Sequence, residues 1–465
     1  MTDLELLTSD VAALRARVDG QVLRPGDRDY EEAGQIWNGA RQTRPAVVVR
    51  CTRTADVMAA LDFARSAGLP IAVRGGGYSP GGLSSCDGLV IDLRPMRSVT
   101  VDPLANVAVV AAGTTWGALD AATQRFGYAI PGVPGSHIGV AGSTIGGGFG
   151  HLRRAYGLAC DNLIGANLVT AQGELLASSG DLNPELLWGL RGGGGNFGVV
   201  TSLRFRLRPL PEPVLSGPVV FGASHAGALL RFYRDYTAKL REDITTRLAL
   251  LSAPRVPGAP RAGHPVRAVP VVAIAAACVG HPIDSERLVS PIRSAAPVLV
   301  DRLVAQPYVR LQAAADEVYP PGRGAAVDSW YVDELDDALI DGLRDAHTAM
   351  PRGSFEIQVL HMGGAVGRVP RMSTAVPNRA ARYLVVAMTR WDDPNDAPAA
   401  QDWLRSVDEL VQGFAVGGPH VGLHTRDASS VDAYGAERYL RLAALKRRYD
   451  PDNVFACNQN VLPLP

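Results

Sequence analysis

The sequence predicts a protein of two large domains, each mixing helices with strands, and three observations carry that reading. The chain has 465 residues, whereas single hydrophobic cores stop growing near about 250 to 300 residues. A β-α-β pattern at residues 46–73 opens a glycine-rich first part. Past Leu210, where Pro209, Pro211 and Pro213 punctuate the chain, the text changes to long alternating strands interleaved with helices.

The elements follow in order. The opening MTDLELLTSDVAALRARV has apolar residues at helical spacing and acidic residues where a signal peptide would be basic, so a cytoplasmic location is expected. AVVVR (46–50) is an apolar run, Thr54 to Ala67 has a helical period, and Leu69 to Val73 is apolar again. LVIDL (89–93) and VAVVAAG (107–113) read as β-rich, and residues 132–150 are dense in glycine. Asn183 as N-cap and Pro184 in the first turn announce a helix at 184–190, which runs into RGGGGNFGVVTSLRFRL with a strand-like tail. The second part offers helices at 226–240, 283–294 and 334–347 and strands such as SFEIQVLHMGGAV and RYLVVAMTR. A Pro/Arg/Gly-rich piece at 253–268 is expected as a surface loop, and AERYLRLAALKRRYDPDNVF as an amphipathic helix stopped at Asp450-Pro451.

Composition narrows the function. The chain is 47% hydrophobic and 20% charged, an ordinary globular balance without the apolar runs of a membrane span. Lys plus Arg number 46 against 46 acidic residues, so no global field favours nucleic acid or an anionic membrane, and a small molecule is the expected partner. The five cysteines (51, 86, 160, 278, 457) are scattered without a C-x-x-C pair, which suggests neither a disulfide framework nor a metal site, only buried free thiols.

Glycines carry the strongest local signal. Gly193-x-Gly195-x-x-Gly198 matches a dinucleotide fingerprint in letters, but that motif needs a strand before it and a helix after it, and here the order is helix, glycines, strand. Gly75 to Gly77 and Gly146 to Gly148 offer further stretches of backbone N–H groups unshielded by Cβ, suited to anion-binding concavities. Each alone reads as a tight turn; together they favour a long phosphorylated cofactor.

Four strings in fixed order, VRGGGYSPGG (73–82), GVAGSTIGGGFGHLRRAYGLACDNL (139–163), LLWGLRGGGGNFGVV (186–200) and RRYDPDNVFACNQNVLP, resemble the berberine-bridge-enzyme-like FAD-linked oxidases of the vanillyl-alcohol-oxidase, or PCMH-type, superfamily. The likeness runs from about residue 25 to the C-terminus and extends to bacterial natural-product tailoring members such as the enterocin-pathway flavoenzyme. It implies an α+β fold: a two-subdomain FAD-binding domain over residues 1–210, a substrate-binding domain over 211–425 with an antiparallel sheet backed by helices, and a segment over 426–465 returning to the first domain. It also implies extended FAD, held by Arg74, Gly75, Gly76, Gly77, Tyr78 and Ser79, by Gly139, Gly142, Ser143, Thr144, Gly146 and Gly147, by Asn196, Gly198 and Val200, and by Asn458 and Asn460 of the NQN ending. The residue after the first glycine run is usually a histidine bonded to the flavin, and here it is Tyr78; a second anchoring cysteine would fall at Gly135. The cofactor expected is therefore non-covalent FAD.

Two residues are the catalytic candidates. His137 stands two positions after Gly135, and the implied fold puts its imidazole beside the flavin ring, for proton transfer or for a hydrogen bond to the ribityl chain or backbone. In SFEIQVLHMGGAV, alternation puts Phe355, Ile357 and Val359 on one face and Glu356 and Gln358 on the other. In the implied architecture the polar face roofs the flavin, which makes Glu356 a general base, or otherwise a solvated carboxylate on an open sheet; His361 has the opposite parity and ranks lower. His151, Asp161 and Asn162 are expected to orient structure or cofactor. The resulting expectation is an FAD-dependent oxidoreductase, an oxidase passing electrons to O2 and acting on a natural-product or polyketide-like substrate, with a homodimer left open. The alternatives are a flavin-retaining cyclase without net redox change and a small-molecule binding protein.

Overall fold

The computed structural model describes residues 3–253, 269–351, 353–426 and 428–465. The piece expected as a surface loop, 253–268, lies outside them save for its first residue, which ends a strand. Three large sheets organise the described residues, beside a two-stranded pairing of Tyr128–Ala129 with Arg208–Pro209. In the first, Val47–Arg50 and Ile71–Arg74 both run parallel to Leu89–Asp92, which lies between them, and Gln21–Leu23 closes one edge antiparallel. Helix Thr54–Ser66 is the crossover of the β-α-β unit. Val47, Val48, Val49, Leu89, Val90 and Ile91 are all buried, as expected of parallel strands covered on both faces.

The second sheet is antiparallel, in the order Val99–Asp102, Val107–Ala111, Val199–Arg206, Leu163–Val169, Leu175–Ser179. Helix Pro184–Leu190 leads into its central strand through the glycines at 192–195, where Gly192 and Gly194 take positive φ of 115° and 72°. Asn183 precedes that helix but does not cap it with its side chain. Its backbone is left-handed, with φ of 50°, and this geometry turns the amide back to donate to the carbonyl of Ala177.

The third sheet has eight antiparallel strands spanning Val214 to Trp391, ordered Val298–Asp301, Val214–Gly222, Val269–Cys278, Ile244–Ala253, Ser354–His361, Tyr383–Trp391, Gly324–Val332, with Val304–Gln306 also paired to Val214–Gly222. One face is covered by helices Ala226–Thr237, Pro282–Arg293, Asp337–Thr348 and Ala397–Val411, and Phe355, Ile357 and Val359 pack into the core beneath them. Sequence reading had not placed the last of these helices. The other face is turned towards the glycine loops of the first part of the chain.

The last helix, Ala436–Tyr449, returns to the first part: Leu442, Ala443, Leu445, Phe455 and Val461 share one core with Val47, Leu163, Val199 and Phe197. We propose on this basis the division at about residue 210, with the end of the chain completing the first unit. What fixes the returning segment is a fully buried pair. Lys446 Nζ lies 2.6 Å from Asp450 Oδ2 and also donates to Phe455 O, while both Asp450 oxygens accept backbone N–H groups, from Val454 and Phe455. Among the described residues no helix is long and apolar enough to cross a membrane.

Removing one partner of such a pair leaves an uncompensated buried charge, at a cost of about 3 to 5 kcal/mol. Lys446→Ala should therefore lower the denaturant midpoint by the equivalent of that amount, and Asp450→Leu in the same chain should recover part of the loss. A single variant with the wild-type midpoint would show that the pair does not hold the segment.

Candidate functional site

Between the glycine loops and the open face of the large sheet lies a cavity of about 1530 Å³. That exceeds the roughly 300 to 1,000 Å³ of a pocket for one drug-sized molecule and leaves room for two ligands side by side. One wall is backbone. Gly75, Gly76, Gly77, Tyr78 and Ser79 line it after strand Ile71–Arg74, and Gly139, Gly142, Ser143 and Gly146 line it from the short helix Val140–Ile145 and its approach. The two loops touch so closely that a Cβ on Gly76 would lie 2.5 Å from Gly139 N, and one on Gly139 would lie 2.7 Å from Gly76 N. Gly198, Val200 and Asn458 extend the wall, and a Cβ on Gly142 would meet nothing within 4 Å, so this helix surface is bare towards the cavity.

Other residues expected at the cofactor lie behind this wall. Arg74 is buried, its guanidinium donating to the carbonyls of Ser84 and Ala33, and so braces the loop from below. Thr144 and Gly147 do not line the cavity; Thr144 is buried, with Oγ1 unpartnered. Asn196 accepts from Val461 N and donates to the carbonyls of Gly193 and Gln459, which ties the glycine loop to the chain end. Asn460 also stands off the cavity, whereas Asn458 and Gln459 reach it. Asp161 pairs at 2.6 Å with buried Arg379, and Asn162 donates to the carbonyls of Tyr156 and Leu158, both holding the chain after the second glycine loop.

Tyr78 stacks on Trp37, ring centroids 6.0 Å apart, at the cavity wall. Gly135 lines the same cavity with φ of 123°, a backbone that L side chains rarely adopt, and a Cβ there would sit 3.0 Å from Ile138 Cδ1. His137 also reaches the cavity, but its side chain is 62% exposed and its Nε2 faces Asp316 Oδ2 at 3.6 Å.

The opposite wall is the large sheet. Its cavity-facing side chains are Glu356, Gln358 and Leu360 on one strand, flanked by Val386, Met388 and Arg390 on the next and by Arg247, Ala249 and Leu251 on the other side. Glu356 is only 5% exposed, so it is no solvated surface carboxylate. Its Oε2 accepts from Tyr319 Oη at 2.9 Å, Gln358 Nε2 donates to the same Tyr319 oxygen at 3.1 Å, and its Oε1 is buried without a partner. Burial, then the Glu356 carboxylate, pushes the Tyr319 phenol up. The Arg390 guanidinium lies 4.6 Å from the centre of the Tyr319 ring and donates to Val318 O, and Trp37 Nε1 donates to Tyr319 O, so the loop bearing Tyr319 is clamped over the cavity.

Tyr319, Arg390 and Arg247 escaped sequence reading. Arg247 sits in an alternating strand whose parity could have revealed it, but Tyr319 stands in an irregular loop, where no period predicts direction. His151 and His420 also line the cavity as neutral imidazoles: burial, then Arg247 and Arg153, pulls His151 down to about 3, and burial, then His424, does the same to His420. His361 points to the other side, within 2.9 Å of Arg154, as its parity required.

Comparison with known proteins is informative at this point. The model of an FAD binding domain matches residues 45–179, and that described as berberine and berberine like matches residues 428–462. Over 96% of this chain and 97% of the relative, the sequence is 30% identical to (R)-6-hydroxynicotine oxidase of Paenarthrobacter nicotinovorans. The chain belongs to the berberine-bridge-enzyme-like FAD-linked oxidoreductases. An FAD-linked oxidoreductase of Dictyostelium discoideum is 29% identical over 96% of this chain and 95% of its own. The crystal structure of 6-hydroxy-D-nicotine oxidase from Arthrobacter nicotinovorans superposes with a TM-score of 0.85 at 27% identity, covering 96% of this chain and 98% of that one. The PCMH-type fold and the enzyme class inferred from sequence hold, and the binding-protein alternative falls. The glycine wall fits FAD on structural grounds as well, since at Gly142 it offers bare helix backbone beside open cavity space.

That fit makes a paired prediction. Gly142→Ala should leave the melting temperature of the FAD-free protein unchanged and weaken FAD binding about 5- to 150-fold, the equivalent of the roughly 1 to 3 kcal/mol that overpacking costs. Gly76→Ala should lower both, because its Cβ meets backbone. Unchanged FAD affinity in Gly142→Ala, measured by fluorescence titration, would remove the cofactor from this helix.

Proposed function

We propose that this oxidoreductase is an oxidase with dissociable FAD, acting on a sizeable, largely apolar, natural-product-like molecule that bears a proton to be lost. The observation that carries the reading is the buried Glu356–Tyr319–Gln358 cluster facing the glycine wall across the cavity. Gly75 to Gly77 with Ser79, Gly139, Gly142, Ser143, Gly146, Gly198 and Asn458 are the residues that would hold FAD. Bound there, FAD would supply a two-electron acceptor that O2 can regenerate.

The protein's own part is proton handling and orientation. A buried carboxylate oxygen without a donor is costly, so a substrate O–H or activated C–H presented to Glu356 relieves that cost as the proton moves to the carboxylate. Tyr319 holds the other oxygen and fixes the plane of the carboxylate, and Gln358 fixes the hydroxyl rotor of Tyr319 by donating to its oxygen. Arg247, 3.4 Å from Gln358 Oε1, supplies a cation for the oxyanion left on a phenol or enol. Ala249, Ala273, Ala275 and Ala277 continue this face as a row of small side chains, which suits a broad apolar body better than a sugar that needs many hydrogen bonds.

Dissociable cofactor is supported by Tyr78 in the first anchoring position and by the backbone at Gly135, which disfavours a cysteine in the second. Acid precipitation should leave the yellow colour in the supernatant; colour retained in the pellet would reject the non-covalent reading. Tyr78→His should gain the mass of one FAD by intact mass spectrometry, unless position 78 is not the anchor position.

For the chemistry, Glu356→Gln should slow anaerobic flavin reduction by roughly 10²- to 10⁴-fold, the range of a general base, with FAD content unchanged. Tyr319→Phe should cost roughly tenfold to a hundredfold, as expected for a lost hydrogen bond to a charged group. His137→Asn tests the rival base. Wild-type reduction in Glu356→Gln with a slow His137→Asn would transfer the role to His137.

A further inference from the structure

The sequence offered no cysteine pair, yet the fold brings Cys86 and Cys457, from opposite ends of the chain, into contact. Cys457 packs on the small core formed by Leu23, Tyr30, Ala33, Val48, Ala72, Cys86 and Val90, where the Cys86 and Cys457 thiols are each other's neighbours. Cys86 is buried in the segment that joins the first glycine run to strand Leu89–Asp92, with its Sγ close to the carbonyls of Pro70 and Leu89. Cys457 is half-buried and lines the large cavity beside Asn458 and Gln459. Cys51, Cys160 and Cys278 are buried elsewhere.

We propose that Cys86 and Cys457 form a peroxide-sensitive dithiol, which closes to a disulfide and latches the C-terminal segment across the cavity rim. The accessible member reacts first. Cys457 sulfur attacks hydrogen peroxide, the O–O bond breaks, and one water leaves as the sulfenic acid forms. Cys86 sulfur then attacks that sulfur, the S–O bond breaks, and the second water leaves: two thiols and one peroxide become one disulfide and two waters. The neighbouring Cys86 thiol favours the thiolate of Cys457, which is the nucleophilic form, and Cys457 is the member that reaches the cavity, so it is the first to meet peroxide.

The position gives the bond a consequence. Cys457 lies between Phe455, whose carbonyl is bound by Lys446, and Gln459, whose carbonyl is bound by Asn196. A covalent tie to Cys86 joins that segment to the chain that continues from the first glycine run. Segments on both sides of the cavity rim could then not separate while the disulfide is intact, and a ligand enclosed by the rim would leave more slowly. This second consequence rests on the FAD reading above; the bond itself does not.

The experiment is graded hydrogen peroxide on the purified holoprotein, followed by thiol counting after denaturation and by non-reducing peptide mapping. Wild type should lose two thiols and yield one linked peptide pair containing Cys86 and Cys457, reversible with dithiothreitol, while Cys51, Cys160 and Cys278 stay reduced. Cys86→Ser should stop at a Cys457 sulfenic acid that dimedone traps. Oxidation of Cys457 to sulfinic acid with Cys86 still a thiol, or a reduced pair after the peroxide has oxidised exposed methionines, would overturn the proposal. FAD release into dilute buffer should be roughly tenfold slower for the oxidised wild type, the equivalent of about 1.4 kcal/mol, and insensitive to peroxide in Cys457→Ser. A disulfide that forms without changing release would overturn the latch and leave the dithiol standing.

Discussion

The contact between Gly76 and Gly139 is the constraint on which the rest of this molecule depends. Two loops, one after strand Ile71–Arg74 and one leading into helix Val140–Ile145, meet backbone to backbone, with no room for a Cβ on either side. That closeness turns separate turns into one continuous wall of peptide groups. The bare helix face at Gly142, the positive-φ turn at Gly135 and the bracing Arg74 all line or support the same surface. A protein can present many N–H groups to an extended ligand only where side chains are missing, and it can afford to leave them out only where backbone packs on backbone.

The other wall obeys a different rule. On the large sheet, strict alternation sends Phe355, Ile357 and Val359 under the helices and leaves Glu356 and Gln358 facing the cavity. Burial of the carboxylate follows from the loop clamped above it by Trp37 and Arg390. The cavity therefore joins a wall of bare backbone, where FAD would lie on the proposed reading, to a roof that carries a buried carboxylate, and the large sheet with the loop at Tyr319 contributes almost all of the second.

Much of this was legible in the sequence because periodicity and glycine spacing are local. The β-α-β unit, the strands at 107–111 and 199–206, three of the four helices over the large sheet and the parity of Glu356 all follow from neighbours along the chain. What stayed hidden was set by contacts distant in sequence. Tyr319 acquires its direction from Trp37 and Arg390, Asn183 gives up its capping role because a left-handed backbone sends its amide to Ala177, and the meeting of Cys86 with Cys457 depends on the chain's return after residue 426. His137 shows the converse: its position beside the second glycine loop was readable, but its exposure and its pairing with Asp316 were not.

The row of alanines on the sheet has an evolutionary reading. Ala249, Ala273 and Ala275 stand on strands whose opposite faces hold Leu248, Leu250, Val272 and Ile274 in the core, so the backbone beneath them is set by residues that no ligand touches. A larger side chain at Ala249 or Ala275 would fill cavity space and leave the core beneath the helices as it is, whereas Ala273 also packs with Val220 and Val271. Such a surface behaves like a mould with removable inserts: single substitutions reshape what is admitted, folding is barely taxed, and new selectivities lie only a few mutations apart.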